Sequence, residues 1–232
     1  MSLLISVHLP KTAGASLRLA LEEHFGDRLL RDYEDRPLHV STVSRNTRAL
    51  RQCLTNSWGR SELQKFACIH GHFMPLKYRL LPAPYKKQYV TWMRDPVERL
   101  ASHYAYWLRD YQQDSIGKLQ RRVIEERWSL ERFCLGPELK NMYSKFIWGF
   151  PLSRFHFIGI TEFYDTDMEY FSDKFLGVNL PARKENVNPT REKAFYVEDM
   201  SLRREIEMYH ADDMLIYRRA LHLRQNRLAE QA

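Results

Sequence analysis

From Leu3 to Leu9 the chain places Leu3, Ile5, Val7 and Leu9 on one side and Leu4 on the other, which predicts a strand buried on both faces and stopped by Pro10. The spacing then turns helical from Ser16, with Leu17, Ala20, Leu21 and Phe25 on one face and Gly26 past the end. The polar, Arg-rich stretch over 36–65 predicts a helix with loops, and 66–69 a short buried strand that delivers His70-Gly71-His72 to its end. Pro75, Pro82 and Pro84 make the next stretch a loop, and 88–93, rich in Tyr, Val, Thr and Trp, is strand-like. Asp95-Pro96-Val97-Glu98 then combines Asp at N-cap, Pro at N1 and Glu at N3, so a helix starts at Pro96 with Val97, Leu100, Ala101, Tyr104 and Leu108 toward the core. Further helix is expected over 115–133 and 138–147, and a strand over 155–160. A second capping box at Thr166-Asp167-Met168-Glu169 opens a helix that turns Met168, Phe171 and Phe175 inward and ends at Gly177. After a loop over 181–189, the rest from Ser201 to about Arg227 is helical and strongly charged.

Strands alternating with helices predict an α/β domain with a mostly parallel central sheet flanked by helices. No repeat, low-complexity tract or linker divides the 232 residues, so one domain over 1–232 is expected. An apolar fraction of 44% with 13% aromatics is enough for a core and excludes disorder and collagen-like repeats. Cys53, Cys68 and Cys134 are odd in number and widely spaced, which fits neither a disulfide framework nor a Cys-rich zinc site. Apolar runs such as Leu3-Leu4-Ile5 are far too short to span a bilayer, and the first residues lack the basic region of a secretory signal. A cytoplasmic location is expected, unless Met1-Ser2 marks a trimmed anchor. The net charge of +7 points to an anionic partner, with nucleic acid, anionic polysaccharide and phosphorylated cofactors all qualifying.

Pro10-Lys11-Thr12-Ala13-Gly14-Ala15-Ser16 lies between a strand and a helix, where N–H groups without helical partners and the helix dipole favour an anion. Lys11 adds a charge, Thr12 and Ser16 add hydroxyls, and small residues allow close approach. The lysine precedes the glycine, so this is not a Walker A loop; a tight turn with an exposed lysine is the plain alternative. Arg94 closes a strand just before the capped helix, where its planar fork meets a second helix N-terminus. Arg99, Ser102 and His103 taken alone read as a solvated helix face. The same holds for the basic doublets Lys86-Lys87, Arg121-Arg122, Arg203-Arg204 and Arg218-Arg219.

Together these segments resemble the sulfotransferases that use 3′-phosphoadenosine 5′-phosphosulfate (PAPS), in particular the carbohydrate branch containing heparan sulfate 2-O-sulfotransferase. The resemblance rests on Pro-Lys-Thr-x-Gly-x-Ser and, some eighty residues on, Arg-Asp-Pro-x-Glu-Arg-x-x-Ser-x-Tyr. Less specific matches are His70-Gly71-His72, Asn141-Met142-Tyr143 with Gly149, Gly159-Ile160-Thr161-Glu162, and Lys184 with Asn186 or Asn188 and Pro189. It implies a P-loop-like sulfotransferase fold. It places Lys11, Thr12, Ala13, Gly14, Ala15 and Ser16 on the 5′-phosphosulfate, and Arg94 and Ser102 on the 3′-phosphate. Ala15 stands where threonine is common, which removes one hydroxyl donor.

Sulfuryl transfer needs alignment, charge on the leaving oxygen and removal of the acceptor proton. Lys11 is the candidate for the charge. For the base, the resemblance points to the His-Gly-His, with His72 favoured and His70 binding acceptor or orienting the site. Packed structural histidines, or a His-x-His zinc pair that lacks a third ligand at characteristic spacing, are the alternatives. His8 and His103 are read as structural. Glu162 is a second acid/base or a backbone anchor, and Asn141 and Tyr143 are ligand contacts or core. The expected partner is a hydroxyl acceptor, carbohydrate or other, neutral or anionic, with no nucleic acid and no metal. A P-loop-like kinase and a non-catalytic polyanion-binding module are the competing functions.

Overall fold

Leu3, Leu4, Ile5, Ser6 and Val7 are all buried, so the first strand is covered on both faces, as its mixed pattern predicts. The computed structural model describes residues 2–35, 37–38, 40–58, 61–82, 86–109, 117–178 and 196–230. Among these, β1 (Ser2–Val7), β2 (Leu29–Asp32), β3 (Cys68–Gly71), β4 (Lys86–Met93) and β5 (Phe157–Ile160) form one five-stranded sheet in the order β2-β3-β1-β4-β5. Every pairing is parallel. The helices are α1 (Gly14–Phe25), α2 (Thr42–Asn56), α3 (Pro96–Arg109), α4 (Lys118–Glu125), α5 (Leu130–Cys134), α6 (Met142–Phe146), α7 (Tyr164–Phe171), α8 (Met200–Tyr209) and α9 (Ala211–Ala229).

Alternation along β1 divides the core in two. Leu3, Ile5 and Val7 face Met93, Met142, Tyr143, Phe146 and Ile160. Leu4, on the opposite face, packs with Leu17 and Leu21 of α1, Trp92 and Phe157 of the sheet, and Met168 and Phe171 of α7. A third cluster joins Val97, Leu100 and Trp107 of α3 to Phe133, Val197 and Ile206 beside the sheet. The chain is thus an α/β domain with a parallel sheet between helices.

Several local expectations give way. β2 has no counterpart in the sequence reading, because four residues with Arg31 at their centre carry neither alternation nor an apolar run. The third strand lies two residues later than 66–69, which puts His70 inside it. Helix α1 begins at Gly14 rather than Ser16. In α3, Leu108 is 47% exposed and Trp107 takes the core position. The helix expected over 115–133 splits into α4 and α5 at Arg127, whose φ of 49° ends the first. The one over 138–147 becomes a 3-10 turn and α6, divided at Asn141 with φ 50°. The second capping box caps nothing, since α7 begins at Tyr164. The loop over 181–189, with Lys184, Asn186, Asn188 and Pro189, lies outside the described residues.

The order of strands sets the site. β1 is flanked by β3 and β4, with Val7 opposite Gly71 on one side and Thr91 on the other. Three chain segments therefore leave the sheet side by side at its carboxyl edge, where ligands of open parallel sheets bind.

Candidate active site

The loop from β1 to α1 makes two left-handed turns, at Lys11 (φ 66°) and at the N-cap Ala13 (φ 62°), each strained for a residue with a Cβ. Thr12 is buried and its hydroxyl donates to the Leu9 carbonyl at 2.8 Å, so it closes the loop. Ser16, in the first turns of α1, is hydrogen-bonded to Tyr164. No side chain caps α1, and its first N–H groups have no carbonyl within the helix to bind. Gly14 lies against His8: a Cβ there would come 1.7 Å from His8 Nε2. Lys11 reaches across to α3, its Nζ 3.8 Å from the Tyr106 ring centroid, a cation–π contact that joins the lysine loop to α3.

The capping aspartate works as predicted on one side: Asp95 Oδ1 accepts from the N–H groups of Val97 and Glu98, both at 3.0 Å. The reciprocal half of the box does not form. The Asp95 N–H donates to Glu162 Oε1 at 2.9 Å, and Glu98 accepts from the Tyr196 N–H instead. Arg203 donates to Asp95 Oδ2 at 2.7 Å and lies 3.6 Å from Glu98 Oε1, so this member of a doublet read as solvated is an internal tie. Arg94 follows β4, 3.8 Å from Glu98 and with its guanidinium 5.5 Å from the Tyr196 ring centroid. Arg99, Ser102 and His103 do not form a solvated face: they are 0%, 9% and 7% exposed, with Arg99 over the Tyr143 ring of α6 and near Asp213 of α9, and His103 against Phe133 of α5.

Three imidazoles meet where β1 and β3 end. His8 stacks on His72 at 4.2 Å and on His70 at 5.2 Å between centroids, and its Nδ1 is 3.0 Å from the Tyr33 hydroxyl. His72 Nδ1 lies 2.6 Å from the His8 carbonyl. A carbonyl only accepts, so Nδ1 carries the proton and the neutral ring keeps its lone pair on Nε2. His70 is fully buried with Nδ1 2.9 Å from Ser6 Oγ. Burial, reinforced by His72, pushes its pKa down to about 3. His8 is lowered as well, by burial first and then by His72 and His70. The space freed at Gly71 is filled by β2, since a Cβ would come 1.7 Å from the Asp32 carbonyl oxygen. His8, read as structural, packs against both histidines of the pair, and Tyr33, just past a strand the sequence did not reveal, joins them without any sequence signal.

The remaining candidates bond within the protein. Glu162 accepts from the Asp95 N–H and the Tyr217 hydroxyl, and desolvation raises its pKa. The Asn141 amide side chain donates to Asp212 at 2.7 Å and its N–H to His210 Nδ1 at 3.1 Å, so it faces α9. Tyr143 is fully buried with its hydroxyl on the Arg94 backbone. Among the described residues no three His, Cys, Asp or Glu side chains converge as a metal site, and no helix is long and apolar enough to cross a membrane.

No protein-family model matches the chain, and no curated protein sequence matches it. Among solved structures it is similar to the crystal structure of a sulfotransferase from Alicyclobacillus acidocaldarius, with 15% identity over 92% of each chain and a TM-score of 0.46. A likeness of that order carries no weight for function, which has to be argued from the residues of this chain.

Proposed function

We propose that the chain, as one domain over 1–232, is a sulfotransferase that moves a sulfuryl group from PAPS to an acceptor hydroxyl, in a carbohydrate or a similar polyol, neutral or anionic. The carrying observation is the meeting of a lysine-bearing strand-to-helix loop, His72 and Arg94 at the adjacent ends of β1, β3 and β4, with Lys11 packed on α3. PAPS has an anion at each end, and the residues present fit both. The α1 N-terminus, with Lys11 and the small residues Ala13, Gly14 and Ala15, would hold the 5′ end, while Arg94 and Ser102 would hold the 3′-phosphate.

When bound, PAPS supplies the sulfuryl group on a phosphate leaving group. Lys11 offers fixed positive charge near the α1 dipole, where negative charge would develop. Thr12 keeps the loop closed through Leu9, and Ser16 lies in the first turns of α1. His72, its Nδ1–H held by the His8 carbonyl, presents Nε2 as the base that takes the acceptor proton. His8 stacks on it and His70 on His8, an arrangement that would orient the ring. The three cysteines, all buried free thiols, support a cytoplasmic location.

Calorimetry with 3′-phosphoadenosine 5′-phosphate (PAP) and with ATP tests this reading. PAP is expected to bind, with Arg94→Ala weakening it roughly 10- to 100-fold. Indifference to PAP overturns the proposal, and preference for ATP favours a kinase. His72→Ala is expected to lower the transfer rate about 10²- to 10⁴-fold with nucleotide affinity nearly unchanged. A loss of affinity at normal turnover would assign His72 to binding instead.

A further inference from the structure

We propose that Tyr143 is the positioning residue for Arg94, and that its hydroxyl sets the preference of the site for nucleotides carrying a 3′-phosphate; this rests on the role given to Arg94 above. Arg94 lies one residue past β4, beyond the last pairings with β1 (Val7 with Thr91) and β5 (Met93 with Ile160). Its N–H and C=O therefore need partners from outside the ladder. The Tyr143 hydroxyl supplies both: it accepts from the Arg94 N–H at 2.9 Å and donates to the Arg94 carbonyl at 2.6 Å. One phenol, with one proton and two lone pairs, does here what a neighbouring strand does for the residues before it.

The phenol is itself held rigidly. Tyr143 is fully buried, the Arg99 guanidinium lies 5.7 Å from its ring centroid, and its N–H donates to Asp213 Oδ2 at 3.0 Å while that of Ser144 donates to Oδ1 at 3.1 Å. Asp213 belongs to α9, so the C-terminal helix fixes α6 and, through Tyr143, the peptide of Arg94. Burial pushes the Tyr143 hydroxyl up, which keeps its proton in place as a donor. With no exposed surface, Tyr143 cannot touch a nucleotide and acts through Arg94.

The side chain of Arg94 is held by its neighbours only at long range. Asp95 and Glu98, its acidic neighbours, are engaged at closer range by Arg203 and by the Tyr196 N–H, and the Arg94 to Glu98 separation is 3.8 Å. What decides where the guanidinium can go is then the direction in which its Cα–Cβ bond leaves the backbone, which the two Tyr143 bonds hold.

Calorimetry with PAP and with adenosine 5′-phosphate, which lacks the 3′-phosphate, on the wild type, Tyr143→Phe, Arg94→Ala and the double variant tests the proposal. Tyr143→Phe is expected to lower PAP affinity about tenfold and leave adenosine 5′-phosphate unchanged. On the Arg94→Ala background it is expected to cost nothing more, because its effect runs through Arg94. Equal losses for both nucleotides, or additive losses in the double variant, overturn the proposal. A wild type without preference for PAP overturns the role of Arg94 first and this inference with it. If Tyr143→Phe does not fold, amide exchange on the wild type decides: the Arg94 N–H is expected to exchange slowly although it lies past the sheet, and fast exchange overturns the inference.

Discussion

Gly14 and His8 share a space that holds only one side chain. A Cβ on Gly14 would fall within the imidazole, 1.7 Å from Nε2, so the glycine of the lysine loop is required by the histidine that follows β1. Gly14→Ala is expected to destabilise the fold by about 1–3 kcal/mol, read as a lower urea midpoint, and to disturb the ring that stacks on His72. An unchanged midpoint would mean that His8 swings clear at no cost. Single residues were legible as polar positions after apolar strands: His72 and Arg94 directly follow β3 and β4, and Lys11 lies in the loop that leaves β1. The burial of His70 was not legible, because alternation shows which face of a strand a residue takes and says nothing about what covers it; here Ser6 of β1 and His8 just past it do. Arg99 was misjudged for the same reason, as an arginine inside a helix reads as solvated until neighbouring helices close over it.

Two capping boxes show how far an element can be read from sequence. Asp95 caps α3 as expected, with both bonds to the first turn in place. In the second box Thr166 holds the place of Asp95 and Asp167 follows it, yet both lie within α7, where Asp167 is 1% exposed. It accepts from the Ile160 N–H at 2.8 Å, from Arg224 at 2.9 Å and from Arg227 at 2.7 Å, and so ties α9 to the end of β5. Asp167→Ala would strand two largely buried guanidinium groups and an N–H group, and is expected to cost about 3–5 kcal/mol in urea unfolding. A cost below about 1 kcal/mol, ordinary for a lost cap, would show that it acts only on its own helix. The difference between the two aspartates lies in α9, residues that the spacing around 166–169 does not contain. Elements with long apolar periodicity, β1, α1, β4 and α3, were legible; β2, α6 and the break at Arg127 were not, because short segments take their form from neighbours more than from their own pattern.

At the scale of the molecule, burial of histidines links stability to pH. His70 is lowered to about 3 and His210 to about 4, in both cases chiefly by burial. The ring of His210 accepts from the Asn141 N–H at Nδ1, which a second ring proton would break. Both groups bind protons more readily in the unfolded chain, where the ordinary value is about 6.5. The stabilisation is therefore full above about pH 6.5 and declines as the pH falls toward 4 and then 3. Thermal unfolding is expected to occur at a lower temperature at pH 5 than at pH 7.5, and His210→Gln, which keeps one donor and one acceptor without titrating, to reduce the difference. An equal midpoint at both pH values would remove these histidines from the account. The sequence by itself determined the alternation of strands and helices, the cap at Asp95, and the residue types near strand ends that suit an anion and a proton acceptor. These follow from local sterics, hydrogen bonding and periodicity, which act over a few residues. Only the tertiary structure decided that β1 lies between β3 and β4. That adjacency places the segments carrying Lys11, His72 and Arg94 at neighbouring strand ends and sets Ser6 against His70. Strand order depends on which apolar faces can be buried together across long stretches of chain, and no local pattern contains that information.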